Sequence, residues 1–358
     1  MQNQDFMQIA INAAKDGAGK SADNPSVGCV IVRDGQIIAI SRTADGGRPH
    51  AETIAINQMR NAEINGADCE MYVTLEPCAH YGKTPPCVDA IIASGIKEVY
   101  VAVLDDNEMV AGKGIAKLKQ NGIKVEIGLL AAQVKSHHHG FLRRIKGGLP
   151  HLTLKIATSL DEKITTGTRE QWLTNEISRS YVHILRANHD AIITGIGTVL
   201  ADNPMLDCRL NGLQHYSPLR IILDRNLRIP INSNIVQTAF KLKTIILTSS
   251  TNINKINMLK QYNVEIIQLK LDFQLIDALK YLSEIGINSA MIEAGQNLNQ
   301  SSFDSGLVDE LYWFKSKQII GEGGLVALKE GKIENYLQNK KLNQQLHFDS
   351  DELLHYQF

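Results

Sequence analysis

The 358-residue sequence predicts two α/β domains in series. Three observations carry that expectation. The chain is longer than one hydrophobic core usually serves. Short apolar runs alternate with stretches of helical period in both halves. A basic stretch punctuated by Gly and Pro, from Gly140 to Pro150, breaks the alternation and reads as a junction. The boundary is set within it, giving domains 1–146 and 147–358.

In the first half, Phe6, Ile9, Ala10 and Ala13 recur at helical spacing, and Gly17–Gly19 ends that helix. Val27–Val32 and Ile37–Ile40 read as strands joined by the two-residue turn Asp34-Gly35. Glu52–Met59 is helical, as are Val88–Ala93, stopped by Gly95, and Ile115–Gln120, stopped by Asn121-Gly122. Met71–Leu75, Val99–Leu104 and Val125–Ile127 read as buried strands. A hairpin followed by β-α-β-α-β is a sheet with helices packed on it.

In the second half, strands are expected at Leu152–Ile156, Ala191–Thr194, Ile221–Asp224, Thr244–Leu247, Glu265–Leu269 and Ala290–Glu293. Helical patterns occupy Ile177–Arg186 and Leu275–Ile285. That order implies a mainly parallel sheet, with antiparallel additions from Leu311–Phe314 and the segment from Leu346 to Phe358. The Asn/Gln/Lys-rich patch at 335–345 reads as surface loop, and His137-His138-His139 as surface polar residues near the junction.

Charge narrows the function. Lys and Arg number 37 against 38 Asp and Glu, so the chain lacks the footprint of a nucleic-acid or anionic-membrane binder. The N-terminus MQNQDFMQIA has no signal-peptide pattern, and no apolar run is long enough to cross a bilayer. A cytoplasmic enzyme with a small-molecule substrate is the expectation. Five cysteines in a long chain do not form a disulfide framework, which directs attention to metal ligation.

His50-Ala51-Glu52, Pro77-Cys78 and Pro85-Pro86-Cys87 supply one imidazole, two thiols and a carboxylate. Three such ligands suit zinc and leave its fourth position open for water, as in a catalytic site. The prolines place His50 and Cys87 at helix N-termini, where the dipole favours thiolate. Glu52 is then the proton shuttle between the attacking water and the departing amine. Zinc nucleobase deaminases carry H-x-E followed by P-C-x-x-C. Here eight residues separate Cys78 from Cys87, and the insert carries His80 and Lys83, suited to a phosphorylated substrate. A structural zinc site closed by His80 is the alternative on these residues. Cys29, Cys69 and Cys208 are assigned no site.

The segments NPSVGCVIV, PHAE, TLEPCAHYGKTPPC and GLVDEL resemble the bifunctional riboflavin-biosynthesis deaminase/reductase family, over residues 1 to beyond 325. The resemblance implies a cytidine-deaminase-like three-layer α/β sandwich followed by a dihydrofolate-reductase-like domain. It implies zinc hydrolytic deamination of 2,5-diamino-6-ribosylamino-4(3H)-pyrimidinone 5′-phosphate, then NADPH reduction of the ribosyl side chain to ribityl. By position, His50, Cys78 and Cys87 would hold Zn2+, Glu52 would move the proton, and Asn24, His80 and Lys83 would line the deaminase pocket.

In the second half the matching stretches are Lys155–Asp161, Gln171–Thr174, His183–Ala187, Thr198–Pro204 and Glu293–Gly295. They imply NADPH contacts from Ala157, Trp172, Thr198, Asp202, Gly295, Gln296, Asn297 and Leu298. Substrate contacts would come from Lys155, Glu170, Leu206, Arg209 and Glu293. Gly195, Gly197 and Gly295 follow strand ends, where backbone N–H groups can cradle phosphate, although no G-x-G-x-x-G is present. Homo-oligomerisation is likewise implied by the resemblance alone.

Four departures from the family pattern stand near the sites. Ser41-Arg42-Thr43 replaces Gly-Tyr-His, which reads as Arg42 taking the place of a pocket histidine. Asp105-Asp-Asn-Glu108 replaces Asp-Pro-Asn-Pro. Glu162 replaces a Gly, and Glu170 a substrate-binding Ser; a carboxylate beside a phosphate site would repel it. The alternative function is a monofunctional zinc nucleotide deaminase with a degraded, binding-only C-terminal domain. A non-enzymatic zinc-stabilised scaffold would require Glu52 to lie on the surface.

Overall fold

The structure, a computed structural model, describes residues 1–105, 111–165 and 172–358. Glu170, Gln171 and residues 106–108 of the substituted loop lie outside the described residues. The chain divides into two compact units, Met1–Leu149 and Pro150–Phe358.

Unit 1 runs α1 (Asn3–Asp16), β1 (Gly28–Arg33), β2 (Gln36–Arg42), α2 (Ala51–Asn61), β3 (Cys69–Leu75), α3 (Cys87–Ser94) and β4 (Glu98–Val103). It continues with α4 (Lys113–Gln120), β5 (Lys124–Ile127), α5 (Ala131–His137) and α6 (His139–Gly147). One sheet has the order β2-β1-β3-β4-β5; β1 is antiparallel to β2 and β3, and β3, β4 and β5 are parallel. Helices α1 and α5 pack together on this sheet, and α2, α3 and α4 form a second group, giving three layers. Helical spacing explains α1, which buries Phe6, Met7, Ala10, Ile11 and Ala14. Asp34 (φ 51°) and Gly35 (φ 73°) supply the two left-handed positions of a tight hairpin turn between Arg33 and Gln36.

Two sequence expectations fail at the end of this unit. The stretch expected as an irregular junction is mostly helical: α6 continues to Gly147 and is stopped by Gly148 in the left-handed region at φ 66°. Glycines at 140 and 147 do not break it, because Leu142 is buried and anchors the turn between them. The histidine run is a surface feature only at His139, which is exposed. His138 is buried, with Nε2 3.3 Å from the Thr74 hydroxyl, and the His137 Nε2 lies 3.3 Å from the Ser26 carbonyl oxygen.

Unit 2 contains β6 (His151–Thr158), β7 (Lys163–Thr165), α7 (Glu176–Ala187), β8 (Ala191–Gly195), α8 (Ile196–Asp202) and β9 (Leu219–Leu223). These are followed by α9 (Asn234–Gln237), β10 (Thr244–Thr248), α10 (Ile253–Lys260), β11 (Val264–Gln268), α11 (Leu275–Glu284), β12 (Ser289–Glu293) and α12 (Gln296–Asp304). The last elements are β13 (Glu310–Lys315), β14 (Leu325–Val326), α13 (Ile333–Tyr336), β15 (Lys341–Phe348) and β16 (Asp351–Gln357). The main sheet has the order β11-β10-β9-β8-β12-β6-β13-β16-β15, parallel through β13 and antiparallel beyond. A small ribbon pairs β14 with β7. The Asn/Gln/Lys-rich patch, expected as loop, contains α13's last turn and the start of β15. Its polarity reflects position, since β15 is an exposed edge strand and an edge is kept polar to discourage pairing with other chains.

Candidate active sites

Strand β3 delivers Pro77-Cys78 at its carboxyl end, Cys87 opens α3, and His50 is the extended residue just before α2. The His50 Nδ1 stands 3.3 Å from the Cys87 Sγ and 3.7 Å from the Cys78 Sγ. Ligands on a tetrahedral zinc, with Zn–N near 2.0 Å and Zn–S near 2.3 Å, are separated by about 3.6 Å. The triad therefore already has the spacing of a zinc site, with all three ligand atoms within 4.8 Å of one another. Because His50 lies outside the helix, the 200° offset between residues two apart on α2 does not separate it from Glu52. Glu52 is buried, 3% exposed, and its carboxyl meets the Cys87 thiol.

The electrostatics suit a divalent cation. Hydrogen bonding from Cys87, then from His50, lowers the Cys78 thiol to about 4 despite its burial, and the Cys87 backbone N–H donates to the same sulfur at 3.3 Å. The neighbouring Cys87 thiol is raised, since a second thiolate beside the first is disfavoured. A zinc ion would remove that penalty. Burial, then the nearby Cys78 charge, pushes Glu52 up to about 7, where it can both accept and release a proton near neutrality. A buried Glu52 disposes of the scaffold alternative's requirement for a surface residue.

The rest of the pocket is partly as expected. Asn24 adjoins the stretch entering His50: a Cβ on Gly47 would lie 2.3 Å from its Nδ2. His80 and Lys83 are exposed on the insert. Arg42 does not take a pocket position. Its Nη1 lies 2.8 Å from Asp45 and its Nε 3.2 Å from Asp16, two carboxylates that consume the guanidinium. Thr43 is the buried neighbour, accepting from the Val27 N–H and donating to the Pro25 carbonyl. Sequence reasoning missed Arg48, whose Nη1 lies 3.3 Å from the His50 Nε2 and 3.2 Å from the Thr84 hydroxyl. It also missed Glu76, beside a ligand but with no chemistry in its motif.

In unit 2, adjacent parallel strands bring Lys155 and Glu293 together, with Lys155 Nζ 3.4 Å from Glu293 Oε1. Arg186, quoted within a motif but given no role, completes the group by holding both carboxylate oxygens. Its Nη1 also donates to the Asp207 carbonyl at 2.8 Å, tying α7 to the segment carrying Leu206 and Arg209. Leu206 is buried, whereas Arg209 is exposed beside Asp207, at 3.5 Å. Glu162 corrects a second expectation. It occupies a left-handed position at φ 58°, which accounts for a glycine there, and its carboxylate accepts from the Ile333 N–H at 3.0 Å. It caps α13, and its carboxyl also meets that of Glu334.

The residues expected at NADPH gather less tightly. Gly295 and Gln296–Leu298 form the start of α12 at the carboxyl end of β12, and the Gly295 N–H donates to Thr198 Oγ1 at 3.1 Å. A Cβ on Gly195 or Gly197 would meet nothing within 4 Å, so backbone there is open to a ligand, and the Thr194 hydroxyl beneath is buried without a partner. That arrangement fits a dinucleotide phosphate. Ala157 is half-buried on β6, and Asp202 closes α8. Trp172 is 69% exposed, stacks under Arg179, and lines a separate cavity of about 390 Å³ with Ser316, Lys317 and Gln318.

Two such sites, in this chain order, define a zinc deaminase fused to a dinucleotide-dependent reductase. Family comparisons agree: residues 1–103 match the cytidine and deoxycytidylate deaminase zinc-binding region, and residues 150–353 match the RibD C-terminal domain. The chain is 38% identical over 346 residues to the riboflavin biosynthesis protein RibD of Aquifex aeolicus, covering 93% of this chain and 95% of that one. The structure of Acinetobacter baumannii RibD is similar with TM-score 0.87 at 34% identity, covering 99% and 98% of the two chains. A Thermotoga maritima structure, described as a diaminohydroxyphosphoribosylaminopyrimidine deaminase/5-amino-6-(5-phosphoribosylamino)uracil reductase, gives 0.85 at 33% over the same shares. The chain belongs to the RibD family of riboflavin biosynthesis proteins. It is a bifunctional enzyme, a zinc-type deaminase and an NADPH-dependent reductase, and the presence of both domains favours this over the monofunctional alternative. Among the described residues no helix is long and apolar enough to cross a membrane.

Proposed function

We propose that residues 1–146 deaminate 2,5-diamino-6-ribosylamino-4(3H)-pyrimidinone 5′-phosphate and residues 147–358 reduce the product's ribosyl group to ribityl. The observation that carries the first half is the spacing of His50, Cys78 and Cys87 around one point, with buried Glu52 beside it. Zinc on those three ligands would acidify water for addition to the amino-bearing ring carbon. Glu52 takes the proton released in that addition and returns it to the amine, which leaves as ammonia. Asn24 holds the pyrimidine, and His80 and Lys83 on the exposed insert receive the phosphate.

In the second half, Lys155 is the cation presented to the sugar, oriented by Glu293, while Leu206 packs against the substrate and Arg209 attracts its phosphate. NADPH would supply the hydride, held by Thr198, Asp202, the start of α12, Ala157 and Trp172, while Glu170 would contact the substrate. We place the enzyme in the cytoplasm, in keeping with the N-terminal sequence and the shortness of its apolar runs, and as a homo-oligomer on the strength of the family resemblance. The test is to supply the diaminopyrimidinone ribotide and follow ammonia release and NADPH oxidation separately, with and without a chelator. Chelation should stop both on this substrate but spare NADPH oxidation on the deaminated product; ammonia release without any NADPH oxidation would sink the two-step reading.

A further inference from the structure

Glu76 lies between the last residue of β3 and the ligand turn Pro77-Cys78, and it is buried, 6% exposed. Both carboxylate oxygens are fully committed to backbone. One accepts from the N–H groups of Gly114 (2.9 Å) and Ile115 (3.3 Å) in the first turn of α4. The other accepts from Asp105 (3.2 Å) and Gly112 (3.0 Å). Parallel pairing of β3 with β4 sets their carboxyl ends side by side, so the chain leaving β4 after Val103 emerges next to Cys78. Glu76 thus ties the turn that carries one metal ligand to Asp105, just beyond β4, and to Gly112 and the first turn of α4. The fit is close on the other side too, since a Cβ on Gly114 would lie 2.2 Å from the Pro77 carbonyl oxygen.

Four N–H donors on one buried carboxylate far exceed what a surface-facing Glu needs, and two of them, from Gly114 and Ile115, lie in the first turn of α4, where the helix itself offers no acceptor. We propose that Glu76 is a positioning residue for the deaminase centre: it fixes the Cys78 ligand turn relative to the end of β4 and the start of α4. The proposal rests on the zinc-deaminase reading of His50, Cys78 and Cys87.

The decisive variant is Glu76→Gln in the full chain. An amide NH2 in place of one oxygen would face two N–H donors, so half of the clamp is lost at nearly constant volume. Zinc affinity is read by competition with a chromophoric chelator, ligand geometry by the thiolate charge-transfer bands of the cobalt-substituted protein, and turnover by ammonia release. Outer-shell partners of metal ligands typically alter affinity by about 10- to 100-fold. Zinc binding at least about tenfold weaker is expected for Glu76→Gln, with shifted cobalt bands, a KM raised more than kcat falls, and NADPH oxidation unchanged on the deaminated product. Glu76→Asp, which keeps both acceptor oxygens, should recover part of the affinity, and it carries the test if the Gln variant fails to fold. Wild-type zinc affinity, cobalt spectrum and KM in either folded variant would overturn the proposal. A wild-type protein that binds no zinc would instead overturn the metal reading itself.

Discussion

Arg186 grips Glu293 with two parallel hydrogen bonds, Nε to Oε2 at 3.0 Å and Nη2 to Oε1 at 2.9 Å, while Lys155 approaches Oε1 from the neighbouring strand at 3.4 Å. Glu293 lowers to about 2 against the cost of its burial, because two cations flank it. The carboxylate, itself held by Arg186, fixes where the Lys155 ammonium stands.

Arg186→Lys should therefore damage the reductase through geometry and not through charge. Lysine keeps the positive charge but loses the planar fork, so Glu293 is no longer held at both oxygens. NADPH oxidation on the deaminated product should fall by about tenfold or more, with ammonia release intact. Equal rates of NADPH oxidation in the variant and wild type would show that the fork is dispensable.

Glu52→Gln preserves shape and removes the proton carrier. Ammonia release should drop by about 10³-fold, within the usual range for a lost general acid–base group. Zinc content, measured on the purified protein, should stay at the wild-type level because Glu52 is not a ligand. Loss of zinc along with activity would reassign Glu52 to the coordination set.

The zinc triad was legible in sequence because cysteine, histidine and proline at fixed positions carry their chemistry in their names. The strands were legible for a similar reason, since β1 and β10 are uniform apolar runs buried along their length. Glu76 and Arg186 were not. Each acts through partners distant in sequence, Gly114 and Glu293, and only the packed fold brings those together. Arg42 misled for the same reason: its motif position suggested a pocket, while Asp16 and Asp45 claim it from elsewhere. The helix α6 was hidden by glycines whose cost a single buried Leu142 helps offset.

Half-buried His137 and buried His138 predict acid sensitivity in unit 1. Burial lowers His137 to about 4 and His138 well below its ordinary value. The unfolded chain then binds protons more readily than the folded one, so stability falls as pH drops from about 6.5 towards 4. His138→Gln removes one of these groups while keeping a polar atom towards Thr74. Hydrogen exchange of β3, compared between variant and wild type at the same pH, should differ less at pH 5 than at pH 7.5. A difference independent of pH would exclude the histidine as its source.

Glu162 predicts the opposite slope in unit 2. Burial, then the neighbouring Glu334 carboxyl, raises Glu162 to about 7, so the folded state favours its protonated form. The associated stability is complete below about 4.5 and is lost as pH rises through 7. Glu162→Gln stays neutral throughout, and its amide oxygen can still accept the Ile333 N–H that caps α13. The variant should match wild type in thermal midpoint near pH 4.5 and exceed it at pH 8. Because Glu162 is partly exposed and solvent screens the pair, the gain should be small, on the order of 1 kcal/mol or less. A variant less stable than wild type at pH 8 would mean that the cap needs the full carboxylate charge, and that Glu162 stabilises α13 through the helix dipole more than it suffers from Glu334.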